Sequence, residues 1–98
     1  MTPEIAARLD ALGIGLMAEA KDYSIFARGE CLALVQHGDS GFLSLGSSGM
    51  MTEKGLAYLV WRDGNPMLVA REGEVSAEAG QVEQIRKFSG DLKSALSL

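Results

Sequence analysis

Two short segments constrain this chain more than anything else in it. Cys31-Leu32-Ala33-Leu34-Val35 and Leu56-Ala57-Tyr58-Leu59-Val60-Trp61 carry no charged residue and are apolar throughout. Successive side chains of a strand point to opposite faces, so a sheet with one face in water alternates apolar and polar residues. These two runs do not alternate. They are also far shorter than the ~20 apolar residues of a membrane-spanning helix. They read as central strands of a sheet that needs cover on both faces. The whole chain has 98 residues, enough for one domain and one core. Two helices cover one sheet face, and the other then calls for a second copy, a ligand or a different placement of the helices.

The rest of the chain supplies those helices. Thr2-Pro3-Glu4 is a helix start: Thr caps a free N–H, Pro suits the first helical position, and Glu favours the positive helix end. Ile5, Leu9, Leu12 and Leu16 follow at helical spacing, and the pattern predicts a helix over about 3–20, with Gly13 and Gly15 weakening its middle. Val82, Ile85, Phe88, Leu92 and Ala95 form a second apolar stripe. It predicts a helix over about 76–96 with Ser76 as its cap and Glu78 in its first turn; four acids, Glu72, Glu74, Glu78 and Glu83, cluster in the segment that leads into it. Between the helices, strands are expected at 23–28, 31–37, 42–46, 56–62 and 67–71. They are punctuated by Gly-, Asp- and Asn-rich turns of the hairpin kind. The expected fold is a single α+β domain over 1–98. It is a five-stranded antiparallel meander sheet flanked by an N-terminal and a C-terminal helix, in the order α-β-β-β-β-β-α.

Charge and cysteine usage narrow the function. Nine Lys and Arg face thirteen Asp and Glu, a net charge of −4. A phosphate backbone selects a basic stripe, so no nucleic-acid partner is expected. Cys31 is the only cysteine, which excludes a disulfide framework. With no basic leader at the first residues, the expected location is the cytoplasm, with no membrane partner.

Candidate chemistry is thin. His37-Gly38-Asp39-Ser40 holds the residue types of a hydrolase triad, but triad members come from separate segments, and four consecutive residues read as a polar turn. Cys31 and His37 sit six positions apart on one expected strand, about 20 Å at ~3.3 Å per residue, too far to pair. One Cys and one His also fall short of a structural zinc set. No catalytic residue, metal or cofactor is expected. The segment from Gly46 to Gly55 reads as a long loop able to wrap an anion, with Ser47, Ser48, Thr52 and Lys54 as its binding groups. It has no P-loop spacing. Met50 and Met51 offer an adaptable contact surface. Tyr58 and Trp61 stand at opposite parity on one strand, so one packs under a helix and the other is an interface candidate.

No residue motif assigns a family. The order helix, antiparallel strands, helix resembles roadblock and longin-type domains, although those place a helix where this chain has only Gly38–Gly41. The acidic two-helix frame also resembles type III secretion chaperones. The expected function is that of a small cytosolic, non-catalytic interaction or adaptor module. It works as a homodimer with a further protein partner. The alternative is a small-molecule or anion-binding domain using the 46–55 loop, with weak enzymatic activity.

Overall fold

The computed structural model describes residues 1–98. Helix α1 spans Pro3–Ala11, and seven strands follow before helix α2 at Ala79–Ala95. The strands are β1 (Gly15–Glu19), β2 (Tyr23–Arg28), β3 (Cys31–Gly38), β4 (Gly41–Thr52), β5 (Gly55–Arg62), β6 (Asn65–Ala70) and β7 (Gly73–Ser76). They form one antiparallel sheet in sequential order, so every strand pairs with its chain neighbours. The α+β class and the antiparallel meander are as the sequence predicts; the strand number is seven rather than five.

One extra strand, β1, comes from the segment assigned to the first helix, and the other, β7, from the acidic connection that runs into the second. The helix starts as expected, with Thr2 Oγ1 accepting from the Ile5 N–H at 3.2 Å. It ends at Ala11 because Gly13 adopts φ +70, the left-handed conformation that glycine enters without a Cβ penalty. Ile14 then turns into the core, and residues 15–19 extend along β2. Leu12 and Leu16, placed on a helical stripe by spacing alone, are exposed. At the other end, Gly73–Ser76 pairs with β6. Ser76 therefore closes a strand, and α2 starts three residues later. Its entry is held by the Glu78 N–H donating to Gln81 Oε1 at 2.9 Å.

The expected 46–55 loop is also overturned. Residues 41–52 form one twelve-residue strand, and only Glu53 and Lys54 lie in the turn between Thr52 and Gly55. The β3 ladder reaches Met50 and the β5 ladder takes Gly49 to Thr52, with a bulge at Gly46 and Ser47, so the segment is strand and not an open anion-wrapping loop. The β5–β6 turn is the expected one: Asp63 and Gly64 both have positive φ, the geometry of a tight two-residue hairpin.

Register divides the sheet into two faces. Phe26, Ala33, Val35, Met50, Ala57 and Leu68 lie on one face and are at most 2% exposed. Helix α2 packs here through Val82, Ile85, Phe88, Leu92 and Ala95. Each of its four larger buried side chains contributes about 1.5–3 kcal/mol of burial. Helix α1 covers the end of this layer. Leu9 joins the core, and Arg8 Nη1 donates to the Ala95 carbonyl at 3.2 Å and contacts Ser97 Oγ at 3.3 Å. Arg28 fastens the other side. Its Nη1 reaches the Leu12 carbonyl at 3.2 Å and Asp91 Oδ2 at 2.9 Å, and its guanidinium lies over the Phe88 ring.

Candidate functional site

No helix covers the second face. By register it presents Ile25 and Ala27 of β2, Leu32 and Leu34 of β3, Met51 of β4, Leu56, Tyr58 and Val60 of β5, and Met67 and Val69 of β6. Leu32 is only 6% exposed, yet it stands outside the helix-side core. Tyr58 and Val60 are each 36% exposed at the middle of the sheet. Two charged side chains, Arg62 and Glu74, belong to this face by register, and they neutralise each other in an ion pair of 2.6 Å. Gln36 and Ser44 are likewise engaged with each other, Ser44 Oγ donating to Gln36 Oε1 at 3.1 Å. The face also carries Tyr23, Asn65 and Ser76; it is apolar toward its middle, polar along part of its rim, and of no net charge on a chain whose net charge is −4.

The residues singled out in the sequence are distributed over both faces. Tyr58 and Met51 stand on the helix-free face. Trp61 stands on the other, under α2, with the Arg86 guanidinium 5.2 Å above its ring. Met50 is 2% exposed and packs into the core between Cys31 and Ala57, so it offers no contact surface. Ser47, Ser48, Thr52 and Lys54 do not converge. Ser48 Oγ accepts from Ser89 Oγ at 2.7 Å and ties β4 to α2. Thr52 Oγ1 donates to the Gly55 carbonyl at 2.8 Å and accepts from the Lys54 N–H at 3.2 Å, closing the turn. Ser47 and Lys54 are exposed. Cys31 is a buried free thiol. Burial pushes its pKa up, the Arg28 charge offsets part of this, and Glu30 adds to it. No group of three or more His, Cys, Asp or Glu is placed to hold a metal ion.

One concavity escaped the sequence reading. At the end of the sheet, between the start of α1, the end of α2 and the β3–β4 turn, lies an opening of about 600 Å³. Ile5, Leu16, Phe42 and Leu96 form its apolar wall, and Glu19, Ser24, His37 and Asp39 its polar lining. Four segments distant in sequence build it, so no local motif announces it. His37 Nε2 lies 3.1 Å from the Ala20 carbonyl, and its ring meets Phe42 edge-on.

No helix of the chain is long and apolar enough to cross a membrane. Comparison with protein-family models, with curated proteins and with solved structures returns no match.

Proposed function

We propose that this chain is a non-catalytic interaction module that works as a homodimer, two copies packing the helix-free faces of their sheets together. The observation that carries this reading is the largely apolar face of no net charge spanning β2 to β6, with Tyr58 and Val60 part-exposed on β5. Its charge suits a second copy. A net charge of −4 opposes self-association in general, but this face brings no unpaired charge to the contact, because Arg62 and Glu74 already neutralise each other.

Its size is that of a modest contact. The five strands β2 to β6, at ~4.8 Å apart and ~3.3 Å per residue, make a face of roughly 24 Å by 20 Å. Two such faces bury about 1,000 Å² in total, at the lower limit for a specific interface. Two sheets stacked about 10 Å apart with side chains interdigitating is the ordinary geometry of a sandwich core. A two-fold axis makes the contact self-complementary. The acidic turn and helix start around Glu72, Glu78 and Glu83 remain outside the contact, free for the further protein partner. The single free thiol suits a reducing compartment such as the cytoplasm.

Static light scattering at micromolar concentration tests the reading. The expected mass is twice the 10.4 kDa of the chain. A concentration-independent mass of one chain overturns it.

A further inference from the structure

We propose that the concavity between α1, β1 and the β3–β4 turn is a binding site for a small organic cation, an amine carrying an apolar body. It lies on the helix side of the sheet, so it is independent of the dimer contact.

Ser24 is the strongest sign of a ligand. It is 3% exposed and lines the opening, yet its hydroxyl takes part in none of the side-chain hydrogen bonds of the chain. No buried side-chain polar atom is both unpartnered and sealed from solvent, so the access this hydroxyl has is through the opening. A buried polar group held toward a cavity without a protein partner is suited to bonding whatever enters.

The chemistry of the other groups selects the class of ligand. The Ala20 carbonyl can only accept, so His37 Nε2 carries the proton of that bond. The carboxylates of Glu19 and Asp39 take part in none of the chain's ion pairs. No Lys or Arg lines the opening, and the one amino group at its rim, that of Met1, is outnumbered by the carboxylates of Glu19 and Asp39. The site therefore presents acceptors and negative charge beside an apolar wall of Ile5, Leu16, Phe42 and Leu96. That combination rewards a donor-rich cationic head on an apolar body and repels an anion. The volume lies within the usual range for small-molecule sites.

Phenethylamine is a suitable probe, titrated in a heteronuclear NMR experiment beside its neutral isostere 2-phenylethanol and the anion 3-phenylpropionate. The amine is expected to give saturable shifts at residues 16–24 and 37–42, with affinity at least about tenfold above that of the alcohol. One charge-assisted contact accounts for a difference of that size. The anion is expected to give none. The double variant Glu19→Gln and Asp39→Asn changes only exposed side chains and keeps the fold. It is expected to lower the amine affinity about tenfold and bring it level with the alcohol. Equal binding of amine and alcohol by the unaltered chain, an amine response unchanged in the double variant, shifts centred elsewhere, or no saturable response overturns the proposal.

Discussion

Replacing Gly49 by alanine tests the sheet at its most crowded point. An added Cβ at Gly49 sits 1.9 Å from the Ala57 carbonyl oxygen and under 3.0 Å from the Ala57 carbonyl carbon and Tyr58 Cα. All three are backbone atoms of the neighbouring strand, so no side chain can swing away. Ordinary contact begins near 3.4 Å, so β5 must retreat by about 1.5 Å. A retreat of that size carries a hydrogen bond of ~2.9 Å well past bonding distance. The β4–β5 ladder runs only from Gly49↔Tyr58 to Thr52↔Gly55, and losing its two nearest bonds costs about 2 kcal/mol. Overpacking adds about 1–3 kcal/mol. The expected loss is about 3–5 kcal/mol, a large share of the ~5–15 kcal/mol by which a domain is stable. Urea unfolding followed by circular dichroism measures it, at one fixed protein concentration because self-association contributes to the midpoint. Gly15→Ala, where an added Cβ meets nothing within 4 Å, is the control and is expected to stay within about 0.5 kcal/mol. A Gly49→Ala chain as stable as the control refutes the close approach of β4 and β5.

Three further outcomes are expected. Gly90→Ala, in the middle of α2 with open space around its Cα, should stabilise by about 0.5–1 kcal/mol in the same urea assay. Arg28→Ala removes the clasp to Leu12, Asp91 and Phe88 and should cost about 1–2 kcal/mol, since the partners are only partly shielded from water. Arg28→Lys should recover little, because a single ammonium cannot make the same set of contacts. The Cys31 thiol, buried and raised in pKa, should react slowly with Ellman's reagent until the chain unfolds. In the unfolded chain this thiol ionises at lower pH than in the folded one. Its stabilising contribution is therefore complete below the ordinary thiol range and lost as pH rises through the folded value. Cys31→Ala should flatten that alkaline decline, as measured by urea midpoints across the range.

The parts of the fold legible in the sequence are those where one local pattern and the tertiary environment agree. Tyr23–Arg28 is found to the residue because β-prone residues end at a glycine turn. The non-alternating runs in β3 and β5 point to a sheet with an apolar second face, and the register bears that out. Elsewhere local signals mislead. Leu16 continues the spacing of Ile5, Leu9 and Leu12, and only the left-handed Gly13 separates helix from strand. Edge strands β1 and β7 have little burial to impose a pattern, and all five residues of β1 are exposed. The glycines and serines of 46–52 look like a loop. They form a strand because the β3 ladder runs on to Met50 and the β5 ladder takes over from Gly49, which is small enough for β5 to come close. The cavity around Ser24 was invisible for a different reason: its lining is assembled by the fold from the start of α1, the cap of α2, four strands and the β3–β4 turn.

The central claim is that Tyr58 and Trp61, three positions apart on one strand, face different worlds: a second copy on one side and α2 on the other. Native mass spectrometry of Tyr58→Asp and Trp61→Asp decides it. Both side chains are partly exposed, and each change places one new charge on one face of β5. The account predicts that the Tyr58→Asp chain is folded and has the mass of a single copy, while the Trp61→Asp chain keeps the mass of two. A Tyr58→Asp chain that remains a dimer, or a Trp61→Asp chain that alone becomes a folded monomer, contradicts it.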